Sequence, residues 1–411
     1  MLDCFVMKTE KNCEVCGSVD LKPVLNLGMH PMCDDLIPVS STSICEEFPI
    51  EILLCSICLT AHQKYQIPKV QLFPKNYHYR SRHTKDVVNG MHDLVENVSK
   101  IFPDGLKNKK ILDIGSNDGT LLDIFASFGA ITAGIEPTDA ALDSLDKSHL
   151  IYQNYFDINS SKKLLNDFGI PDVITFTNVF AHIEDLNSMI SALNFLMGPQ
   201  TLLVIENHYL GSVLDKMQFD TFYHEHPRTY SASSFAYVAK SLNAIVNSIQ
   251  FPKRYGGNIR VFISKNQHPA LDTSITEIIS NEKNFDILFL NMNSKIEEWR
   301  RETTHRINEL VKEYGALPAK AFPGRAAILV KLLNLNSDHI SAVYEKNESK
   351  KIGHFLPGTR IPIKPDLDLM KINVNMPIIN LAWHIDSEIK TYLNEIGYKG
   401  IIFNILEPSR Y

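Results

Sequence analysis

The segment FDTFYHEHPRTYS at residues 219–231 concentrates side chains that move protons near neutral pH. The segment contains Tyr223, His224, Glu225 and His226 in succession. Pro227 comes next, and its ring disfavours helical backbone at His226. We therefore expect an extended stretch in which Tyr223 and Glu225 share one face and the two histidines share the other. The H-E-x-H spacing also differs from the i, i+4 pair of histidines with which a helix binds catalytic zinc.

These residue types suit acid–base chemistry at a carbon atom. A histidine with a pKa near neutrality can remove a proton beside a carbonyl group. A tyrosine or a protonated acid can then donate to the enolate oxygen that develops. The alternative is a buried histidine with a purely structural role. The position of the segment just past TLLVIENH, the last predicted parallel strand of an α/β domain, favours catalysis.

A second motif, ILDIGSNDGTLL at residues 111–122, has the form of a strand, a glycine-containing loop and a helix. Gly115 and Gly119 allow backbone to approach a ligand closely. A dinucleotide fingerprint requires glycine where Asn117 stands, so S-adenosylmethionine fits better than a nicotinamide cofactor. Glu136 ends the next predicted strand and is expected to accept hydrogen bonds from the ribose.

Other polar residues at the ends of these strands extend the predicted cofactor site. Each of them alone could instead be a helix cap or a turn residue, but together they mark the carboxyl edge of a sheet. The predicted cofactor-binding residues are Asp113, Gly115, Asn117, Asp118, Gly119, Glu136, Asp157 and Asn178.

All seven cysteines fall within residues 4–58, a clustering that indicates a metal site more than a disulfide framework. Two CxxC pairs, Cys13 with Cys16 and Cys55 with Cys58, can offer four thiolates to one tetrahedral Zn²⁺ at about 2.3 Å, which makes a closed structural site. The 38 residues between the pairs exceed the spacing of common zinc ribbons, so chance pairs or redox chemistry are the alternatives. The remaining cysteines, expected to be ordinary thiols, are Cys4, Cys33 and Cys45.

The pattern of apolar runs predicts an α/β protein with three parts. Short apolar runs broken by Gly, Pro and Cys predict a small β-rich zinc-binding module at residues 1–76. KKILDIG, ITAGIEP, PDVITFTN and TLLVIENH alternate with helical segments, which predicts a doubly wound, Rossmann-like domain at residues 77–265. Because it carries the predicted S-adenosylmethionine loop, we expect it to be a methyltransferase domain. IVNSIQFP and NIRVFISK are expected to close its sheet as an antiparallel hairpin, and a further α/β pattern predicts a Rossmann-like domain at residues 266–411.

Net charge and the length of the apolar runs limit the kinds of partner that we expect. The 411 residues have a formal net charge of -6, with both signs mixed along the chain, so we expect no nucleic acid partner. No run of about 18 apolar residues and no signal-peptide core are present, so we expect a soluble, cytoplasmic protein without a membrane partner.

Taken together, the motifs resemble those of the zinc-containing, three-domain C-methyltransferases that act on carbon 3 of dTDP-linked 4-keto deoxysugars. The resemblance covers nearly the whole chain, and its motifs occur in the order of that family: CxxC with LGMHP, CSIC, YHYRS, DIGSNDGTLL, NVFAH, QFDTFYHEH, YGGNIRVF and PGTRIPI. It implies a nucleotide-sugar substrate, dTDP- or GDP-linked, with S-adenosylmethionine as methyl donor and a structural Zn²⁺ on the four CxxC cysteines.

The resemblance also implies roles for individual residues. His226 would be the base, Glu225 and Tyr223 would assist it, and His182 of NVFAH would lie near cofactor or substrate. One of the two tyrosines of YHYRS, Tyr77 or Tyr79, would enter the site.

The third domain departs from the family pattern. The family commonly has a glycine-rich alanine/lysine loop before LLN, whereas this chain has AFPGRAAILVKLLN with Gly324 and Arg325. Arg325 or Lys331 could pair with the sugar diphosphate, and ordinary surface charge is the alternative.

Two other functions are compatible with the sequence. The same scaffold could methylate oxygen or nitrogen of a nucleotide sugar or a related small molecule. A zinc-ribbon protein that binds a partner and has lost its chemistry is a third reading, disfavoured by the intact DIGSNDG and YHEH motifs.

Overall fold

The computed structural model describes residues 7–73, 79–267 and 275–410. The first part of the chain is a small antiparallel β module, as its broken apolar runs predict. Its strands and helix are β1 (Lys8–Thr9), β2 (Leu21–Pro31), β3 (Glu47–Cys55), β4 (Ala61–Gln63), β5 (Tyr65–Gln66) and α1 (Lys69–Leu72). β1 pairs with β5, while β2, β3 and β4 form an antiparallel sheet in that order.

The central part is a doubly wound α/β unit. Its first half contains α2 (Lys85–Ser99), β6 (Lys110–Ile114), α3 (Thr120–Ser127), β7 (Ile131–Ile135), β8 (Leu150–Tyr152), α4 (Ile158–Asp167) and β9 (Val173–Thr177). Its second half contains α5 (Leu186–Leu196), β10 (Leu202–His208), α6 (Leu210–Asp215), β11 (Arg228–Thr229), α7 (Ala232–Ser241), β12 (Ile245–Gln250) and β13 (Asn258–Ser264).

The central sheet has the strand order β12-β13-β10-β9-β6-β7-β8. The strands β8, β7, β6, β9 and β10 run parallel, and β12 and β13 close the edge as an antiparallel hairpin. The four apolar runs predicted as strands are β6, β7, β9 and β10, and the hairpin prediction is also confirmed. Because helices cover both faces, these strands are almost wholly buried.

The C-terminal part repeats the α/β pattern. Its elements are α8 (Ile275–Asn281), α9 (Phe285–Tyr314), β14 (Leu317–Lys320), α10 (Ala326–Leu332), β15 (Ile340–Glu345), β16 (Ile363–Pro365), α11 (Asp366–Leu369), β17 (Ile378–Asn380), α12 (Asp386–Glu395) and β18 (Ile402–Asn404). The strands form a parallel sheet in the order β16-β15-β14-β17-β18. The expected Rossmann-like third domain is therefore confirmed.

The long helix α9 connects the three parts. Its buried residues recur every three or four positions, the spacing of one helix face: Phe285, Phe289, Met292, Ile296, Trp299, Thr303 and Ile307. This face shares one hydrophobic core with β2 and β3 of the first part and with the C-terminal sheet. Trp299 Nε1 donates to the carbonyl oxygen of Ile405 at 2.8 Å, and Asn293 Nδ2 donates to that of Val24 at 2.7 Å.

The first and central parts also share a sheet. The short strand β11 pairs with β4, so a strand from the central part extends the sheet of the first. β11 follows YHEHP directly, which attaches that segment to the small β module. Within the residues that the structure describes, every helix is too short or too polar to span a lipid bilayer.

Candidate active site

The FDTFYHEH segment folds into a turn, so the expectation of an extended stretch with Tyr223 and His226 on opposite faces is wrong. The backbone N–H of His226 donates to the carbonyl oxygen of Tyr223 at 2.9 Å. Their rings lie 4.2 Å apart, and Tyr223 Oη is 3.0 Å from His226 Nε2. The proline restricts only the residue before it, whereas packing of the preceding residues decides the path of the rest.

Two buried phenylalanines supply that packing. The Phe219 ring lies 5.0 Å from the Trp299 ring, and the Phe222 ring stacks on Phe289 with centroids 5.9 Å apart. Both partners belong to α9, and burial of each phenylalanine stabilises the segment by about 2 kcal/mol. The turn that carries the YHEH residues is thus attached to the helix that joins all three parts.

Hydrogen bonds define which nitrogen of His226 can act as a base. Nδ1 lies 3.1 Å from the carbonyl oxygen of Thr221, which can only accept, so Nδ1 carries the proton. Nε2 therefore carries no proton, and its lone pair accepts from Tyr223 Oη–H. Burial, together with the nearby His182 and His208 and the Arg325 charge, holds the pKa of His226 well below its ordinary value. The ring is therefore neutral near pH 7.

The histidines around His226 come from several strand ends. His182, in the turn after β9, donates from Nδ1 to the carbonyl oxygen of Glu225 at 2.5 Å, and its ring lies 4.7 Å from that of His226. His208 ends β10, with its ring 5.5 Å from that of His226. Burial lowers the pKa of His182, and burial with the Arg325 charge lowers that of His208 to about 3.

Sequence reasoning missed two of these residues. His208 ends a predicted strand, and a polar residue at a strand end is the signal that indicated Asn178, so the sequence could have indicated His208 as well. His384 lies in the turn Trp383–Ile385 of the C-terminal part, and burial, Arg325 and His208 hold its pKa well below the ordinary value. No local motif pointed to His384, because only the docking of the C-terminal part brings it here.

Glu225 is a buried carboxyl group with a shifted pKa. Burial, and then the charge of Asp34, raises the pKa of Glu225 from 4.5 to about 8. The side chain is therefore mostly protonated at pH 7. Among the described residues its Oε2 has no hydrogen-bond partner. A neutral carboxylic acid with an unused oxygen, on the residue before a neutral histidine, is suited to donate a proton or a hydrogen bond to a substrate oxygen.

The cofactor loop adopts the backbone that its glycines permit. Gly115 and Gly119 have φ of +74° and +76°, in the left-handed region. A Cβ added to Gly115 would lie 2.5 Å from Val179 Cγ2, so no larger residue fits there. Asn117 also has positive φ, at +49°, which asparagine tolerates better than most residues.

Glu136 is bound to this loop. Its Oε1 accepts from Thr138 N at 2.9 Å and Thr138 Oγ1 at 2.6 Å, and its Oε2 accepts from Asn117 N at 3.1 Å. A carboxylate offers about four acceptor positions, which leaves one on Oε2 among the described contacts. That position, at the carboxyl end of β7, suits a ribose hydroxyl.

The other predicted cofactor residues have partners within the protein. Thr175 Oγ1 donates to the Asp113 carboxyl at 2.6 Å, and burial raises the pKa of Asp113 to about 7. Asp118 accepts from Thr120 Oγ1 at 2.6 Å and from Arg82 N at 3.1 Å. The Asp113 contact joins β6 to β9 next to the loop, and the Asp118 contacts join the loop to α3 and to the backbone at Arg82.

Two of them also have structural roles. Asp157 caps α4 and accepts from Ser160 N at 2.8 Å in a capping box, which was the alternative for this residue. Asn178 has φ of +55° and accepts at Oδ1 from Asn258 Nδ2 at 3.3 Å. Their cofactor contacts stay predictions.

The structure describes one of the two tyrosines of YHYRS. Tyr77 lies outside the described residues. Tyr79 is 40% exposed, and its carbonyl oxygen accepts from Asn117 Nδ2 at 3.2 Å. Tyr79 thus lies against the cofactor loop.

The loop has further groups that suit S-adenosylmethionine. Ser116 Oγ in the loop and Thr177 Oγ1 at the end of β9 are buried, and neither has a hydrogen-bond partner in the described part of the chain. Both lie at the carboxyl edge of the parallel sheet, where ligands of open α/β folds bind. With Glu136, they fit a ligand that offers hydroxyl, amino and carboxylate groups.

The four CxxC cysteines form one cluster. All four Sγ atoms lie within 4.8 Å of one another, with Cys13 to Cys58 at 3.4 Å and Cys16 to Cys55 at 3.5 Å. Tetrahedral Zn²⁺ with bonds of about 2.3 Å requires sulfur atoms about 3.8 Å apart, so the set fits this ion. His62 Nε2 is 3.3 Å from Cys13 Sγ and can orient that ligand.

The unpaired cysteines differ in setting. Cys33 is buried, near the Glu225 and Asp220 carboxyls that raise its pKa together with burial, whereas Cys45 is partly buried. Cys4 lies outside the described residues.

Arg325 and Lys331 are paired within the protein. Arg325 Nε lies 3.3 Å from Asp220 Oδ2, and both side chains are buried. Lys331 Nζ lies 2.5 Å from Glu47 Oε1 at a more exposed position. Arg325 is therefore no simple surface charge, and contact of either residue with a diphosphate stays a prediction.

Comparison with known families assigns all three parts. Residues 13–73 match a putative zinc binding domain, residues 83–246 a methyltransferase domain, and residues 253–408 a C-methyltransferase C-terminal domain. The matches agree with the order of domains inferred from the sequence motifs.

Individual relatives carry methyltransferase names. The C-methyltransferase NovU of Streptomyces niveus is 24% identical over 371 residues, which span 87% of this chain and 86% of NovU. A ubiquinone biosynthesis O-methyltransferase of Cupriavidus pinatubonensis is 32% identical over 98 residues, 23% of this chain and 39% of that protein. Among solved structures, the plantazolicin methyltransferase BpumL in complex with SAH has a TM-score of 0.36 and 13% identity, covering 45% of this chain and 86% of that one.

Proposed function

We propose that this S-adenosylmethionine-dependent methyltransferase, which combines a zinc-binding domain, a methyltransferase domain and a C-methyltransferase C-terminal domain, methylates carbon 3 of a nucleotide-linked 4-keto-6-deoxysugar. The observation that carries the proposal is the unprotonated Nε2 of His226 in a buried site, on the residue that follows the protonated Glu225. The similarity to NovU, a C-methyltransferase, supports carbon as the acceptor.

The cofactor is held by the loop after β6. Gly115 and Asn117 would supply backbone close to the cofactor, Glu136 would accept from its ribose, and Asn178 would contact its methionine end. S-adenosylmethionine supplies an electrophilic methyl group when it is bound there. The cysteine-bound Zn²⁺ is structural and takes no part in the reaction, because its four thiolates leave no open coordination position.

The protein's own residues generate the nucleophile. His226 Nε2 removes the proton from the carbon beside the ketone, and the electron pair of that C–H bond passes into the enolate. Glu225, as a neutral acid, donates to the enolate oxygen. Tyr223 Oη, 3.0 Å from Nε2, orients the imidazole and gives way to the substrate. The lowered pKa keeps His226 neutral near pH 7, so Nε2 can accept this proton.

We also propose the division into domains at residues 1–76, 77–265 and 266–411. The matched ranges support it, although β11 of the central domain completes the sheet of the first.

The test uses purified enzyme in D₂O with a panel of dTDP- and GDP-linked 4-keto-6-deoxysugars. Without the methyl donor, mass spectrometry should show one deuterium entering beside the ketone; with it, one methyl group should be added. His226→Ala should slow both by about 10² to 10⁴-fold. His305→Ala, an exposed position on α9, is the matched control.

Methyl transfer that leaves the hydrogen at carbon 3 in place, seen by NMR of the product, would contradict carbon methylation. It would indicate an oxygen or nitrogen acceptor on the same scaffold. No transfer to any keto sugar would refute the substrate class.

A further inference from the structure

We propose that Arg325 and Trp383 of the C-terminal domain are positioning residues for His226, an inference that rests on the proposed role of His226 as base. Both residues lie outside the sequence motifs of the methyltransferase domain. Both reach the segment immediately before YHEH, and they act on His226 through Asp220 and Thr221.

The first step is the hold on Asp220. Its Oδ2 accepts from Trp383 Nε1 at 2.9 Å and lies 3.3 Å from Arg325 Nε. The Arg325 guanidinium also lies over the Trp383 ring, 5.2 Å from its centroid. Asp220 is fully buried, and Arg325 is 8% exposed. One hydrogen-bond donor, Trp383, and one cation, Arg325, both from the C-terminal domain, therefore hold one buried carboxylate of the methyltransferase domain.

The second step runs through Thr221. Arg325 Nη1 donates to Thr221 Oγ1 at 3.1 Å, so the same guanidinium fixes two consecutive residues. The carbonyl oxygen of Thr221 accepts from His226 Nδ1. That bond holds the proton on Nδ1, so the lone pair of the imidazole is on Nε2, which accepts from Tyr223 Oη. The orientation of the Thr221 peptide thus decides the tautomer and the aim of the base.

A buried ion pair is weak evidence for stability, since the desolvation of both charges opposes their attraction. The arrangement around Asp220 is more specific than stability requires, because Arg325 uses its fork on two neighbouring residues. Catalytic geometry is sensitive to such control, and a displacement of about 1 Å can slow a reaction by about 10²-fold. The C-terminal domain therefore completes the active site by fixing the base.

The experiment compares Arg325→Gln, Arg325→Lys and Trp383→Phe with wild type. Arg360→Gln is the matched control, because Arg360 also joins the C-terminal domain to another part, donating to the carbonyl oxygens of Ser41, Thr42 and Ser43. One readout is the rate of deuterium exchange beside the ketone, separated into kcat and KM. The other is the tautomer of His226 from ¹⁵N NMR of the imidazole, assigned by comparison with His226→Asn.

Arg325→Gln should lower kcat for exchange by about 100-fold with KM within twofold of wild type. Its His226 signals should show a mixture of tautomers, while wild type and Arg360→Gln show the proton on Nδ1. Trp383→Phe should give a smaller loss, and Arg325→Lys should recover part of kcat because it keeps the charge beside Asp220.

Three results would overturn the inference. Arg325→Gln could retain the wild-type tautomer and kcat, it could raise KM alone, as a diphosphate-binding residue would, or Arg360→Gln could cause an equal loss. If Arg325→Gln does not fold, Trp383→Phe decides by the same criteria. If wild type exchanges no keto sugar, the proposed function fails, and the His226 tautomer in the variants still tests the positioning.

Discussion

Substituting Glu225 with glutamine should change how the activity depends on pH. Burial and the neighbouring Asp34 raise the pKa of Glu225 to about 8, so the folded protein holds this proton up to that pH. If Glu225 donates to the enolate oxygen, the rate should fall as pH rises through about 8. Glutamine keeps an N–H donor and cannot titrate, so the variant should lack that fall.

The size of the effect follows from the same pKa. Above about pH 8 the protonated fraction of Glu225 falls towards tenfold per pH unit, so about a tenth remains at pH 9. The effect on stability has the same sign. The pKa of Glu225 is raised from 4.5 to about 8, so the folded protein binds this proton more tightly than the unfolded chain. The resulting contribution to the free energy of unfolding is fully present below pH 4.5 and is lost as pH rises through about 8. That range corresponds to roughly 5 kcal/mol at most, since the shift is about 3.5 and each unit is about 1.4 kcal/mol.

The assay is the rate of deuterium exchange and of methyl transfer between pH 6 and 10, for wild type, Glu225→Gln and Glu297→Gln. Glu297→Gln is the matched control because Glu297 is an exposed glutamate on α9 that pairs with Arg300 at the surface. Burial raises the pKa of Tyr223 well above its ordinary value, which removes it as a source of the inflection near 8. An alkaline fall near pH 8 that persists in Glu225→Gln would refute the assignment.

Three further predictions follow from other parts of the structure. Cys58→Ser should reduce bound zinc, measured by elemental analysis, and lower the melting temperature, because metal binding contributes to folding; equal zinc and melting in both proteins would contradict the site. Gly115→Ala should abolish S-adenosylmethionine binding in calorimetry, because φ is +74° and the new Cβ meets Val179, whereas Gly397→Ala, at φ +83° with nothing within 4 Å, should bind normally. Glu206→Gln should lower the free energy of unfolding by about 3 to 5 kcal/mol, because it leaves two buried arginines without their carboxylate, while the exposed Glu297→Gln should change it by less than about 1 kcal/mol.

Much of the fold was predictable because its signals are local. The unbroken apolar runs of β6, β7, β9 and β10 indicate strands covered on both faces, and alternation with helices then requires a parallel sheet. The hairpin of β12 and β13 follows from two apolar runs joined by glycines. The two CxxC pairs predicted their cluster because each knuckle is itself a local structure.

The candidate site was predictable only in part. Gly115 and Glu136 could be found because the ends of neighbouring parallel strands must meet at one edge. The turn at YHEH could not, because it depends on Phe219 and Phe222 packing against a helix more than 60 residues later in the chain. His384 was missed for the same reason.

The sequence by itself determined the residue types, the strands, the glycine-containing loop after β6 and the two CxxC pairs, since propensity and periodicity act over a few residues. Only the tertiary structure decided that His226 has its lone pair on Nε2, that burial keeps Glu225 protonated, and that Arg325 lies beside Asp220. These properties depend on desolvation and on contacts between residues far apart in the chain. Such contacts exist only once α9 has brought the three parts together around one core.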